Sequence, residues 1–186
     1  MKGLKPTLIS LLAVGLLAGS AVGVAAQDEA EGTTTFSTNL TCDFTGESVL
    51  PLPPCELDEE TGVVSVTFNN PADKTGTFEG VQVANGTIGL NTVDGSVTLD
   101  ALIMFWGAVE GCGVGTVYFA NTGSGFMDEA GVVTLEQSVY EAVPGGTLAV
   151  TATLDESGVL ADNGDGSTTA PYSGTYSCET DDADGE

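Results

Sequence analysis

The sequence contains no histidine and very few basic residues. Its 186 residues include 3 Lys and Arg against 27 Asp and Glu, which gives a formal net charge of −24 at pH 7. Without histidine, Ser-His-Asp and Cys-His catalysis and imidazole metal sites are excluded. Nucleic acids and anionic membranes are poor partners, because both are bound through clustered Lys and Arg. The charge instead favours cations or basic proteins as partners, or solubility in a saline or acidic medium.

Aromatic residues are also scarce, with one Trp and four Tyr in the whole chain. Sugar-binding surfaces need exposed aromatic rings, so few positions are available for one. Trp106 and Tyr118 are the candidate ligand-binding pair. The alternative is that both rings belong to the core, where aromatic side chains bury a large apolar area.

The first 26 residues have the features of a secretory signal peptide. Lys2 and Lys5 give a positive start, residues 8–24 form an apolar run, and the run ends in small residues. We expect cleavage after Ala26 and export of the remaining chain. An uncleaved membrane anchor is the alternative, since the run approaches the length of a membrane span. After cleavage, Lys74 is the only basic side chain left to face the 27 carboxylates.

All four cysteines lie in the part of the chain that we expect to be exported. An even number of cysteines in an oxidising compartment predicts two disulfides, for which three pairings are possible. We favour Cys42 with Cys55, which closes a short proline-rich loop, and Cys112 with Cys178, which joins the last strand to the centre of the chain. Zinc is not expected, because the spacings differ from those of zinc sites.

Short apolar-polar alternations separated by turn residues run through the rest of the chain. Residues 77–84, 87–93 and 96–106 read as three strands joined by Asn85-Gly86 and Asp94-Gly95, pairs that suit tight hairpin turns. A further strand around Val64 is expected to end at Asn70-Pro71, because proline cannot continue a ladder of hydrogen bonds. The pattern predicts an all-β fold, an antiparallel meander that closes into a roughly eight-stranded barrel, with a two-sheet sandwich as the alternative.

The predicted domain organisation is simple. Residues 27–35 form an acidic leader, residues 36–178 a single all-β domain that begins with a strand over 36–44, and residues 179–186 an acidic tail. Residues 96–121 form its centre, with Val97 to Phe105 alternating onto the core face. The other face of this strand turns apolar at Leu102, Met104 and Trp106, so we expect it to be covered there as well.

The second half of the chain resembles a group of small exported bacterial β-barrel proteins. The resemblance rests on four glycine-bearing segments: Gly111-Cys112-Gly113, Gly115 to Phe119, Val143 to Thr147, and Tyr172 to Cys178. These proteins are similar to the allene oxide cyclase and dirigent barrels. The resemblance implies an eight-stranded antiparallel barrel whose interior accepts an apolar small molecule, and it brings no catalytic residue with it.

The remaining candidate chemistry belongs to carboxylates. Paired acids about 5–9 Å apart catalyse glycoside hydrolysis, and Asp100 with Glu110, or Glu136 with Glu141, are candidate pairs. The loop that contains Asp162, Asn163 and Asp165 is a candidate calcium site, because oxygen ligands on a glycine-bearing loop suit a hard cation. A plain surface turn explains the same residues. No cofactor other than Ca²⁺ is suggested.

No catalytic signature emerges from these patterns. The leading hypothesis is therefore a secreted, acidic, disulfide-linked β domain that acts as a binding or surface module and is not an enzyme. Its partners would be cations, basic proteins or a small apolar ligand. The alternatives are a barrel enzyme or apolar-ligand binder of the allene oxide cyclase type, and a calcium-dependent adhesion or matrix module.

Overall fold

The computed structural model describes residues 27–36, 55–129, 133–159 and 161–179, and these ranges contain β-strands and no helix. The strands are β1 Asp28–Phe36, β2 Cys55–Asp58, β3 Val63–Gly76, β4 Phe78–Asn91, β5 Ser96–Val109, β6 Gly113–Met127, β7 Val133–Val143, β8 Val150–Asp155, β9 Gly158–Val159, β10 Ala161–Asp162 and β11 Thr168–Cys178. Within these ranges there is accordingly no helix of the length and apolarity needed to span a membrane.

Eight of these strands close into an antiparallel barrel. The order around the barrel is β1, β3, β4, β5, β6, β7, β8 and β11, and β1 closes it by pairing with β11 on one side and with β3 on the other. The short β2 pairs with the first part of β3 as an extra strand. The barrel predicted from the sequence is thus confirmed, and the sandwich alternative is not needed.

Alternate residues of the strands fill the barrel, as the period of a strand requires. The centre is aromatic: the ring of Phe78 lies edge-on to those of Phe105, Phe119, Tyr172 and Tyr176, with centroids 5.6–6.3 Å apart. Smaller apolar side chains surround these rings, among them Ala84, Ala101, Ile103, Val109, Val117, Ala152 and Leu154. Edge-to-face packing of this kind adds to the stabilisation that burial alone provides.

Two predictions from local residue pairs are wrong: the hairpin turn at Asn85-Gly86 and the end of a strand at Asn70-Pro71. Asn85-Gly86 lies in the middle of β4, paired with β3 and β5, and neither residue has the positive φ that a tight hairpin turn requires. Pro71 lies within β3 and does not end it. Among the described residues, neither β1 nor β2 pairs with positions 67–71 of β3. These positions therefore form a local edge of the sheet, where a residue without an N–H is tolerated. A turn does lie at Asp94-Gly95, with Gly95 at a φ of 76°, but it is part of a four-residue connection, residues 92–95, and Asp94 lacks the positive φ of the predicted two-residue hairpin turn.

The first strand of the barrel also differs from the prediction. Residues 28–35, which the sequence assigned to an acidic leader, form β1 together with Phe36 and complete the barrel. Ala30 and Thr34 are its inward residues, and these small side chains give too weak an apolar signal to reveal the strand. The rest of the strand predicted over 36–44 lies outside the described residues, as do the signal peptide and most of the acidic tail.

The disulfide between Cys112 and Cys178 is confirmed. It joins the turn between β5 and β6 to the end of β11, with Cα atoms 5.3 Å apart. Cys55 is also disulfide-bonded. Cys42, its predicted partner, lies outside the described residues.

Candidate functional site

An apolar patch covers part of the outer wall of the barrel where β4, β5 and β6 run side by side. We call it the Trp106 face. Its members are Val81 and Val83 on β4, Leu102, Met104 and Trp106 on β5, and Tyr118 on β6. Trp106 is 58% exposed, Leu102 54%, Val81 48% and Met104 42%. Large exposed apolar side chains this close together make this face a candidate binding surface.

The strand register explains why these side chains are neighbours. Trp106 lies directly opposite Val81 on one side, and Met104 lies between Val83 and Tyr118. Residues two apart on a strand share a face, and directly opposite residues of paired strands have Cβ atoms within about 5.5 Å. The six side chains therefore form one continuous surface.

Four carboxylates border the Trp106 face. Asp73 on β3 lies opposite Val81, and Glu141 on β7 lies opposite Ala120, which itself faces Leu102. Glu79 and Asp100 occupy the outward positions two residues before Val81 and Leu102 on their own strands. All four are exposed. The face is thus an apolar centre bordered by negative charge.

This arrangement corrects one expectation from the sequence. The apolar positions 102, 104 and 106 predicted a second cover over the strand, but the described residues leave them on the outer surface. The candidate pair Trp106 and Tyr118 does lie together, on the outer wall and not in the interior. The alternation identified these residues correctly, but a run that is apolar on both faces does not distinguish a buried strand from an exposed binding face.

A second cluster, of polar residues, lies inside the barrel around Lys74. This side chain is 1% exposed. Its Nζ donates a hydrogen bond to Thr34 Oγ1 at 2.8 Å and lies 3.6 Å from Glu156 Oε1. Nζ is also 3.9 Å from the ring centroid of Tyr172 and 5.0 Å from that of Tyr140. An ion pair and two cation–π contacts thus replace the water that the ammonium loses.

Glu156 is held in place by groups of β7. Its backbone N–H donates to the Ser138 carbonyl at 2.8 Å, and Tyr140 donates its hydroxyl to Glu156 Oε2. Burial lowers the pKa of Lys74 below its usual 10.5, and the charge of Glu156 opposes this shift. Burial, reinforced by the same charge, raises the pKa of Tyr140 well above 10.0. Tyr140 therefore stays a hydrogen-bond donor over the physiological pH range.

Some polar atoms of this interior cluster lack a hydrogen bond among the described residues. They are both amide atoms of Gln82, which is 1% exposed, and Glu156 Oε1. The Gln82 amide is close enough to the Tyr140 hydroxyl to offset part of the rise in its pKa, but it makes no hydrogen bond of standard geometry. Buried polar atoms of this kind are usually satisfied by water or a ligand.

Burial of Lys74 determines the charge of the surface. It is the only Lys or Arg after residue 26, so no basic side chain of residues 27–186 lies on the outside. The sequence identified Lys74 as the sole cation but did not predict its burial. The alternation of the strand could have predicted this burial, because Phe68, Ala72 and Lys74 share the inward phase of β3. The strand end expected at Pro71 prevented that prediction.

The candidate catalytic carboxylates are not brought together. Asp100 lies within β5 and Glu110 just past its end, so they are about 30 Å apart along the strand at ~3.3 Å per residue. Glu136 and Glu141 are five positions apart on β7, about 16 Å by the same measure. Neither separation matches the 5–9 Å of a glycosidase pair.

The candidate calcium loop forms its own hydrogen bonds. Asp165 Oδ1 accepts hydrogen bonds from the hydroxyl and from the backbone N–H of Ser167, and these lower the pKa of Asp165. Asn163 donates its amide to Ser167 and Thr169. Asp162 belongs to β10 and pairs with Thr168. In the described part of the chain, no group of three or more His, Cys, Asp or Glu side chains is close enough to hold a metal. Calcium binding by this loop stays a prediction.

A depression of about 540 Å³ opens on the outside of the barrel where β1, β3 and β11 meet. Glu31, Glu110 and Thr77 contribute polar groups to its lining, which also includes Gly32. Tyr172 passes beneath Gly32 and accepts a hydrogen bond from Phe78 N while donating to the Thr75 carbonyl, both at 3.0 Å. These two hydrogen bonds join Tyr172 of β11 to β3 and β4, and they therefore help to close the barrel.

In the part of the chain that the structure describes, fold and surface together define a small closed β-barrel with an anionic exterior and an exposed apolar face. Comparison with protein-family models finds no match, and a search of curated proteins finds no relative. Function is therefore inferred from the residues themselves.

Proposed function

We propose that the protein is a secreted, non-catalytic binding domain that docks a polypeptide partner on the Trp106 face. The observation that carries this proposal is the exposure of Trp106, Leu102 and Met104 side by side on the outer wall. Their arrangement corresponds to the centre of a protein interface, where Trp and Met are enriched and where a few large side chains supply most of the binding energy.

The construction of the barrel supports a role for the outside surface. Phe78, Phe105 and Phe119 are fully buried and occupy the centre of the interior. A strand gains no stability from the Trp106 face while it is exposed to water, whereas covering it would remove apolar area from water at roughly 25 cal/mol per Å². The disulfide and the closed sheet provide a rigid support, which limits the entropy lost on binding.

Selection from a random peptide library tests this proposal. The purified residues 27–186 are the bait, and selected peptides are re-tested on Leu102→Thr/Met104→Thr. We expect peptides that bind the wild type and lose at least tenfold in affinity on this variant. Phe126→Thr is the matched control, because Phe126 is 43% exposed at the far end of β6 from the Trp106 face. Failure to select any peptide that depends on Leu102 and Met104 would contradict the proposal.

A second candidate function places a small ligand inside the barrel, as the resemblance to allene oxide cyclase-like barrels implies. The Gln82 amide and Glu156 Oε1 favour it: neither makes a hydrogen bond among the described residues, although Glu156 Oε1 is ion-paired with Lys74, and a ligand with polar groups would supply the missing hydrogen bonds. A thermal-shift screen of small apolar compounds with one polar group tests this function. Hits that are lost on Gln82→Leu but retained on Leu102→Thr would support it, and a screen without such hits would contradict it.

A further inference from the structure

We infer that the partner of the Trp106 face is cationic: a polypeptide segment with an apolar centre and Lys or Arg side chains around it. This inference rests on the proposed function and specifies the chemistry of the partner. It is carried by the four carboxylates that border the face and by the burial of Lys74.

The carboxylates enclose the apolar patch in both directions. Asp73 and Glu141 lie on strands separated by four strand spacings, or ~19 Å around the wall at ~4.8 Å each. Glu79 lies opposite Ala108, so along the strands it is eight residues, or ~26 Å, from the level of Asp100. A segment of three or four apolar residues fits between them, with its flanking residues above the acids.

The rest of the exterior reinforces this preference. No basic side chain of residues 27–186 is on the surface, because Lys74 is enclosed by Thr34, Glu156 and two tyrosine rings. A cationic partner is therefore attracted to every side of the barrel and accelerated toward it. At the face itself, the exposed indole of Trp106 offers a cation–π contact to an approaching Arg or Lys.

The same charges argue against a second copy of this chain as the occupant. A two-fold interface centred on the Trp106 face would bring the same acidic border against itself. Like charges brought together across an interface disfavour association. A cationic partner meets no such repulsion.

Fluorescence titration tests the inference, because Trp106 is the only tryptophan. The probes are three synthetic peptides with the same Leu-Ile-Leu centre and with lysine, serine or glutamate flanks. We expect the lysine peptide to shift Trp106 emission to shorter wavelength and to bind at least tenfold more tightly than the serine peptide. Raising the salt from about 0.01 M to 1 M, which shortens the Debye length from ~30 Å to ~3 Å, should remove most of this difference.

Paired variants localise the effect. Asp100→Asn/Glu141→Gln should weaken binding of the lysine peptide about tenfold. Glu59→Gln/Glu60→Gln, which removes the same charge from the exposed turn before β3, should change it less than twofold. Equal weakening by both pairs would overturn the local role of the acidic border.

The remaining outcomes separate this inference from the proposed function. Equal affinity for serine and lysine peptides would overturn the cationic partner while leaving a binding face. A dimer that Leu102→Thr dissociates would assign the face to a second copy, and an emission shift with neutral phosphatidylcholine vesicles would assign it to lipid. No shift with any peptide, combined with a library that also gives no face-dependent binder, would overturn both proposals.

Discussion

Lys74 and Glu156 form an ion pair inside the barrel, with Nζ 3.6 Å from Oε1 and both side chains at most 2% exposed. One partner comes from the middle of the chain on β3 and the other from the segment that follows β8. The pair therefore links two distant parts of the chain through the interior. It also removes the single basic side chain of residues 27–186 from the surface.

Substitution of one partner should be far more costly than substitution of both. Lys74→Met leaves a buried carboxylate without its cation, and we expect the free energy of unfolding to fall by about 3–5 kcal/mol. The double variant Lys74→Met/Glu156→Leu leaves no buried charge and should recover at least half of that loss. Urea denaturation of the wild type, both single variants and the double variant measures the coupling. Additive effects of the two substitutions would show that the pair is not coupled.

Stability should fall in alkaline solution because of Tyr140. Its pKa is raised well above 10.0 in the folded state, so its contribution is complete below pH 10 and is lost as the pH rises through the folded value. Lys74 acts in the opposite direction: its pKa is lowered, so stability rises with pH between that value and 10.5. Comparison with Tyr140→Phe isolates the tyrosine, because both proteins retain Lys74.

Denaturant unfolding from pH 8 to pH 12 makes this comparison. Tyr140→Phe should be less stable by about 1–3 kcal/mol at pH 8, because Glu156 loses a hydrogen-bond donor. Its stability should fall less steeply than that of the wild type above pH 10. Parallel curves over the whole range would be inconsistent with a buried, protonated Tyr140.

Loss of the Cys112–Cys178 disulfide should destabilise the barrel substantially. The bond closes a sequence separation of 66 residues, for which the loss of chain entropy predicts a contribution of about 4 kcal/mol. Cys112→Ser/Cys178→Ser should lower the melting temperature, and full reduction of the wild type should lower it further, because Cys55 is also disulfide-bonded. A melting curve that neither treatment changes would contradict a structural role for these bonds.

The sequence predicted the architecture from repeated local patterns. Alternation in residues 96–106 placed Ile103 and Phe105 inside correctly, and Cys112 with Cys178 was favoured among the possible pairings because it joins the last strand to the centre of the chain. The prediction from sequence failed where strand pairing between distant residues overrides the local preference of a residue pair. Asn85-Gly86 favours a turn in isolation, but its neighbours on β3 and β5 keep it in a strand.

Only part of the candidate site could be predicted from the sequence. Trp106 and Tyr118 were identified as a possible pair, but the exposure of a residue depends on which elements pack over its strand, and this information is not local. The cluster around Lys74 was missed, because it assembles residues 34, 74, 140 and 156 from four separate segments. Only the register of the closed barrel brings them together.

The central claim is that the Trp106 face is exposed in the free protein and covered by its partner, and acrylamide quenching of tryptophan fluorescence tests it most directly. Trp106 is the sole tryptophan and is 58% exposed. The free protein should therefore emit at long wavelength and be quenched strongly, and the lysine-flanked peptide should reduce the quenching at least twofold. Short-wavelength emission with weak quenching in the free protein would show that the face is buried, and would contradict the account.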